Sequence, residues 1–210
     1  MAIGNRQIGW SQESNLLWSI SSQIQRLISV VSKSLAPKYK VYTALLTQSG
    51  GDDPQYQQLG SLVVGRTYEI ADNGVIDWDF TNVGAPNNEI GTLFVATGTT
   101  PANWGQNGNL NFNTGAPVVT VLENTIGNIW FTYDAPGLYN ILSNDLFIDT
   151  KTTVNMFPAQ FIESPVDIYN STAIPVNVGR IALLSYYNYL AADNALSYGG
   201  PTMIEIRVYN

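Results

Sequence analysis

The sequence predicts a mainly β protein, in which an N-terminal helix precedes an antiparallel β-sandwich-like domain with a small inserted β module. Residues 11–36 carry apolar residues at helical spacing. After Pro37, short runs of β-branched and aromatic residues alternate with Gly, Asn and Pro. Charged residues make up only 12% of the chain, about half the usual share. Uncharged polar residues and Gly replace them, as is typical of β-rich proteins with many turns.

The predicted helix has recognisable ends. Ser11 is a plausible N-cap residue, and Glu13 follows in the first turn, near the positive end of the helix dipole. Pro37 disfavours helical geometry in the residue before it, so the helix should end there. These signals assign residues 11–36 to the helix.

The helix carries an apolar stripe with alternating spacings of three and four residues, the a and d positions of a coiled coil. Its members are Leu17, Ile20, Ile24, Leu27 and Val31. The stripe is widened by Ile28 and Leu35 at e positions and by Leu16 at a g position. This width favours a coiled coil of three helices over one of two. One interpretation is a helix packed on its own domain. The favoured one is a short coiled-coil stalk, because a single helix of this length is marginally stable in water.

The rest of the chain reads as strands and turns. Strands are predicted at residues 40–47, 67–70, 92–97, 118–122, 129–133, 137–141, 152–157, 181–186 and 203–209. Residues 183–192 could alternatively form a helix, since periodicity does not decide between the two. Residues 55–114 are rich in Asn and Gly and predict an inserted β module within a β domain of residues 37–210.

Composition argues against most enzyme and binding classes. The chain has no Cys and no His, the residues most used as nucleophiles, general bases and transition-metal ligands. Its net charge of −7 opposes nucleic-acid binding. We therefore expect no catalytic residues, no cofactor, no metal, and no nucleic-acid partner.

Acidic clusters are the local features that most resemble catalytic or metal sites. Asp77 and Asp79 flank Trp78 and resemble the carboxylate pair of sugar-cleaving enzymes, in which one acid protonates the leaving group and the other attacks or activates water. No further element is visible that would raise one pKa, so exposed loop carboxylates are the favoured interpretation. The pair Asp52 and Asp53 and the segment 72–74 lack the ligand pattern of a calcium loop and are interpreted as turns.

Some of the aromatic residues are candidates for a carbohydrate-binding surface. They are Trp78, Trp104, Tyr186, Tyr187 and Tyr189. Core or interface packing is the commoner role of such residues. Glycan binding is therefore kept as an alternative function.

The start of the chain lacks the charged beginning and apolar run of a signal peptide, and no apolar stretch is long enough to span a bilayer. We expect synthesis in the cytoplasm and no membrane partner. Residues 1–10 have one charged side chain, Arg6, and too little apolar surface to fold alone. Ile3, Ile8 and Trp10 are the predicted anchors of this peptide on a partner protein.

Three stretches of the chain together resemble small structural proteins of tailed bacteriophages, including crAss-like phages. They are residues 8–18 with 24–28, the split pair 39–50 and 116–129, and residues 204–209. In those proteins the two halves of the split pair lie closer together, so the segment between them resembles an insertion. Within it, residues 79–85 and 91–101 resemble a module that recurs in phage virion proteins.

This resemblance implies a virion protein, in which residues 1–10 anchor the chain to the capsid or another virion protein, residues 11–36 form the stalk and residues 37–210 form the exposed domain. The favoured expectation is a homotrimeric head fibre or capsid decoration protein. A tail-fibre or baseplate component, or a carbohydrate-binding adhesin, is the alternative. The family has no active site to transfer.

Overall fold

The computed structural model describes residues 11–35, 38–71, 77–106, 108–157 and 169–210. The chain divides into two compact units, one up to Lys38 and one from Tyr39 onward. Within the described residues, the first unit contains one α-helix and the second contains all the strands. The predicted mainly β class is confirmed. The coiled-coil stalk stays a prediction, because the structure contains one copy of the helix.

Helix α1 spans Gln12–Leu35, one residue inside each predicted end. The Ser11 hydroxyl oxygen accepts a hydrogen bond from the amide of Ser14 at 3.2 Å, so the predicted N-cap is confirmed. Glu13 lies in the first turn, where a carboxylate interacts favourably with the helix dipole. Local sequence signals therefore determine where this helix begins.

Thirteen described strands form the second unit. In chain order they are β1 (Tyr39–Thr47), β2 (Pro54–Gln57), β3 (Thr67–Ala71), β4 (Leu93–Val95), β5 (Asn109–Asn113), β6 (Val118–Asn124), β7 (Ile129–Ala135), β8 (Leu138–Ser143), β9 (Thr152–Phe157), β10 (Tyr169–Asn177), β11 (Arg180–Tyr187), β12 (Leu190–Ala191) and β13 (Thr202–Tyr209).

Two sheets form the sandwich. The first has the strand order β6-β1-β13-β9, and the second has the order β10-β11-β8-β7, with β12 paired to β11. Neighbouring strands are antiparallel throughout. One hydrophobic cluster contains side chains from both sheets. It therefore fills the space between them, as in an antiparallel sandwich.

Alternating burial along the central strands explains the core. On β1, Tyr42, Ala44 and Leu46 are buried, while the residues between them are more exposed. On β13, Ile204 and Ile206 are buried and lie opposite Ala44 and Tyr42. Side chains two residues apart share one face of a strand, so this register places the apolar set of both strands on the same side.

A third sheet, with the order β2-β5-β3-β4, is formed entirely by residues 54–113. One of its faces packs on a hydrophobic cluster that is separate from the sandwich core. The largest members of this cluster are Tyr68, Trp78, Phe80, Phe94 and Leu110. We call residues 54–113 the module. The predicted boundaries, 55 and 114, stay a prediction.

The module begins and ends beside paired strands of the sandwich. Thr47, at the end of β1, is paired with Val118, at the start of β6. Closer to the module, the Thr114 amide donates a hydrogen bond to the Asp53 carbonyl at 3.1 Å. The module therefore occupies the position of a hairpin loop between two adjacent antiparallel strands.

Two hydrogen bonds between described residues join the module to the sandwich. The amide of Phe131 on β7 donates to the Thr67 hydroxyl oxygen at 3.0 Å. The amide of Val119 on β6 donates to the carbonyl of Gly65 at 2.9 Å. Gly65 has φ +85°, and a Cβ there would lie 2.0 Å from the Val119 carbonyl oxygen, so this close approach requires glycine. The module is thus docked on the sandwich as well as connected to it.

Sequence patterns missed four strands, β2, β5, β10 and β12. Strand β5 is rich in Asn, which is depleted in strands, and β10 contains Pro175. Proline is tolerated there because β10 is an edge strand. The helical alternative for residues 183–192 is wrong: this segment contains the end of β11, a turn and β12. Pairing with neighbouring strands stabilises these weak strand sequences.

Two fully buried tyrosines of the core differ in their hydroxyl environment. The Tyr42 hydroxyl is buried and has no hydrogen-bond partner among the described residues. The Tyr139 hydroxyl donates to the Asp193 carboxylate at 3.2 Å. Burial raises the pKa of both tyrosines well above the usual value. Both hydroxyls therefore stay protonated well into the alkaline range. Of the two, the Tyr139 hydroxyl has a hydrogen-bond partner among the described residues and the Tyr42 hydroxyl has none.

Removal of the module should leave a folded sandwich. We expect a chain in which Gly50 is joined to Ala116 through Asn-Gly to melt cooperatively, because the flanking strands β1 and β6 are already paired. Its melting temperature should fall, since Val95 of the module packs against the sandwich core. Circular dichroism and calorimetric melting measure both effects. A chain without a cooperative transition would show that the module is required for the sandwich to fold.

The two tyrosines allow a matched test of core hydrogen bonding. Tyr139→Phe should lower the free energy of unfolding by about 1–2 kcal/mol, because it removes the hydrogen bond to Asp193. Tyr42→Phe should leave stability unchanged or raise it slightly, because it removes a buried hydroxyl without a partner. Urea unfolding of the two variants gives the comparison. If Tyr42→Phe lowers the free energy of unfolding more than Tyr139→Phe does, then the Tyr42 hydroxyl, and not that of Tyr139, makes the stabilising hydrogen bond.

Candidate functional site

The predicted stripe of helix α1 is exposed in the single chain. Its five residues are between 44% and 67% exposed: Leu17, Ile20, Ile24, Leu27 and Val31. Full burial of a large aliphatic side chain contributes about 1.5–3 kcal/mol. Covering this half-exposed stripe would therefore stabilise each chain by something on the order of 5 kcal/mol. Isolated exposed aliphatic residues are ordinary, but a continuous stripe is typical of an interaction surface.

Residues beside the stripe extend it. Leu16 and Ile28 are mostly exposed, and so is Val30, a g-position residue that the sequence analysis did not single out. Arg26, at a c position, lies off this face. The residues at the e and g positions beside the stripe are uncharged, so they cannot form salt bridges between helices. An apolar stripe with apolar flanks is typical of assemblies with more than two helices.

A second exposed apolar surface lies on edge strand β10. Ile174 and Val176 are both about half exposed. They alternate along the strand with Ala173, which packs against the sandwich core. These two side chains therefore project from the outer face of the sheet, where they are accessible to another protein surface.

The predicted anchor residues Ile3, Ile8 and Trp10 lie outside the described residues. Attachment through them stays a prediction. The structure does describe the acidic residues Asp77 and Asp79. Among the described residues, no group of three or more His, Cys, Asp or Glu side chains could hold a metal ion.

Asp77 and Asp79 stabilise loops of the module. Asp79 Oδ1 accepts hydrogen bonds from the Thr81 amide at 2.9 Å and from the Thr81 hydroxyl at 2.7 Å. These bonds, together with one from Asn88, lower the pKa of Asp79. Asp77 Oδ2 accepts a hydrogen bond from the amide of Gln106 at 2.7 Å. This geometry keeps Asp79 ionised, which is the opposite of what a general acid requires.

Two predicted aromatic platforms belong to the module core. Trp78 is only 3% exposed, and its indole N–H donates to the Asn88 carbonyl, so its prediction as a sugar platform is wrong. Trp104 is half-buried against Phe80, with the two rings edge to face, and it donates to the carbonyl of Gly60. Interior packing explains both tryptophans better than ligand binding does.

The tyrosines of the β11–β12 hairpin are more accessible. Tyr186 is half-buried, Tyr187 is partly exposed and Tyr189 is 81% exposed. Asn188 and Tyr189 form the tip of the hairpin with positive φ angles of 49° and 67°. A tight two-residue hairpin requires this backbone geometry, which is unusual for tyrosine. The hairpin therefore exposes the Tyr189 ring at its tip.

A groove that the sequence did not predict lies between the module and β7. It has a volume of about 450 Å³, within the range of small-molecule sites. Residues of β2, β5 and β3 line one side, and Thr132 and Tyr133 line the other. Burial and a hydrogen bond from the Tyr133 hydroxyl to Asp193 raise the pKa of Tyr133, so this wall is uncharged and held in place.

Tyr56 is the most exposed aromatic side chain in the groove, at 71%. It lies between Gln55 and Gln57 in a short polar strand. An aromatic residue between two glutamines is the signal that sequence reasoning could have used. Its neighbours in the groove come from strands distant in the sequence, which no local pattern reveals.

No described helix is both long enough and apolar enough to cross a bilayer. Comparison with protein-family models gave no match. Comparisons with curated proteins and with solved structures gave none either. The functional argument therefore depends on the residues and surfaces described above.

Proposed function

We propose that this protein is a structural component of a bacteriophage virion, an oligomeric head fibre or capsid decoration protein exposed on the particle. The observation that carries the proposal is the exposed apolar stripe of helix α1, which precedes in the chain a β unit with its own hydrophobic clusters. A helix of this kind is expected to join copies of the chain, because a single copy leaves it marginally stable.

Self-association accounts for the stripe through burial of apolar surface. Three copies of α1 would bring their a and d residues to a common axis, and the apolar flanks at e and g would be covered as well. The exposed Ile174 and Val176 of β10 provide a second surface that further contacts could cover. Once α1 holds the copies together, even weak contacts between β units are populated, because the effective concentration is high.

The virion assignment is supported by the sequence resemblance and by composition. A particle surface must withstand oxidation and changes of environment, and a chain without Cys loses nothing to thiol chemistry. The arrangement of a leading peptide, a helix and a β unit matches an anchor, a stalk and an exposed domain. A tail-fibre or baseplate component is the second candidate, because it would use the same arrangement.

Charge placed in the stripe should abolish assembly. We expect the full chain to sediment with three chain masses and the double variant Ile24→Asp, Leu27→Asp to sediment as a monomer. Burial of the new carboxylates would cost on the order of several kcal/mol. Sedimentation velocity measures the mass of each species.

The matched control for that experiment is Gln25→Asp, Ser29→Asp, which adds the same charge at b and f positions outside the stripe. It should keep the trimer mass. If the stripe variant also keeps the native mass, then the stripe does not join the chains and the proposed stalk is wrong.

Removal of residues 2–10 should prevent incorporation into the particle. The reason is that Ile3, Ile8 and Trp10 supply the predicted anchors, while α1 and the β unit remain intact. Virions assembled with the truncated copy should form normally but lack this protein by mass spectrometry. If the truncated chain is incorporated at full occupancy, the attachment surface lies elsewhere in the protein. If virions assembled with the full-length chain also lack it, the proposed function itself is refuted.

A further inference from the structure

We propose that the groove between the module and β7 binds a neutral pyranose carbohydrate, with Tyr56 as the stacking platform and Glu69 and Asn111 as hydrogen-bonding groups. This inference goes beyond the assembly role and does not depend on it. It also replaces Trp78 and Trp104, which the structure packs into the module.

Strand register brings the three residues together. Tyr56 on β2 lies opposite Asn111 on β5, and Asn111 lies opposite Glu69 on β3. They therefore form one row across three neighbouring strands, about 10 Å long at the usual strand spacing. All three line the groove and all three are exposed. Residues on paired strands are held more rigidly than residues on loops, which favours a preformed site.

The polar groups of the row are not engaged by the protein. The side chains of Glu69 and Asn111 make no hydrogen bond or ion pair with any residue in the described part of the chain, and neither does that of Thr132 on the facing wall. By contrast, Oδ1 of Asp79 in the module accepts three hydrogen bonds, from the Thr81 amide, the Thr81 hydroxyl and the Asn88 side chain. The groove thus holds a carboxylate, an amide and a hydroxyl that remain available to a ligand.

These groups match the two surfaces of a pyranose ring. Such a ring has an apolar face of C–H bonds, which packs on an exposed aromatic side chain, and an edge of hydroxyl groups. The Glu69 carboxylate can accept hydrogen bonds from those hydroxyls, and the Asn111 amide can both donate and accept. Hydrogen bonds to a charged acceptor are stronger than those between neutral groups.

Charge narrows the class of ligand. Among the described residues that line the groove, Glu69 is the only Asp, Glu, Lys or Arg, so this lining supplies no cation that would pair with an acidic sugar or a phosphate. The chain as a whole carries −7, which further disfavours anions. A neutral sugar needs no countercharge and can use the Glu69 carboxylate, the Asn111 amide and the Thr132 hydroxyl together. A cation would pair with Glu69 alone, and the glucosamine probe in the test below detects that outcome.

Saturation-transfer NMR on the full chain tests the inference. The panel consists of the methyl glycosides of glucose, galactose, mannose and N-acetylglucosamine, with N-acetylneuraminic acid and glucosamine as the charged probes. We expect at least one neutral glycoside to give transfer signals from its C–H face. Tyr56→Ala and Glu69→Gln should each weaken its binding at least tenfold, whereas Tyr56→Phe, which keeps the ring, should retain it.

Tyr189→Ala is the matched control, because Tyr189 is also a strongly exposed tyrosine, at 81% against 71% for Tyr56, and it does not line the groove. It should bind as the unaltered chain does. The inference is overturned if no neutral glycoside gives signals, if binding survives Tyr56→Ala, if Tyr189→Ala abolishes it, or if a charged probe binds more tightly. The groove variants should keep the native oligomeric mass, so this outcome is separate from the test of the α1 stripe.

Discussion

Strand β1 pairs with β13 along almost its whole length, from Tyr39 opposite Tyr209 to Leu46 opposite Thr202. This ladder joins the first and last strands of the β unit and places the buried faces of both over the second sheet. Its neighbours β6 and β9 pair with β1 and β13 in turn. The β1–β13 pair is the contact that connects β6 and β1 with β13 and β9 in the first sheet. Without it, Ile204 and Ile206 would no longer be buried in the sandwich core.

The position of the module follows from the same sheet. Because β1 and β6 are adjacent and antiparallel, the end of one lies beside the start of the other, and any length of chain can be placed between them without changing the ladder. The module inserted at this position forms its own sheet and hydrophobic cluster. Its docking against β7 then creates a concave surface that neither the sandwich nor the module has alone.

The two proposed functions use surfaces that folding leaves uncovered. The stripe of α1 is apolar and nearly free of charge, so water disfavours its exposure and another copy can cover it. The groove instead combines apolar and aromatic side chains with the polar groups of Glu69, Asn111 and Thr132. These polar groups gain from a ligand only if it replaces their hydrogen bonds to water. The first surface therefore suits permanent assembly, and the second suits reversible binding of a small polar molecule.

The sequence by itself determined the elements whose signals are local. Ser11 and Pro37 mark the helix because capping and proline sterics act within one turn, and alternating apolar residues mark β1 and β13 because the strand period is two. Tertiary structure alone decided the rest. The Asn-rich β5 is a strand because its neighbours pair with it, Trp78 is interior because the module closes over it, and Tyr56 meets Asn111 and Glu69 through strand register. These outcomes depend on contacts between segments distant in the chain, which a local pattern does not contain.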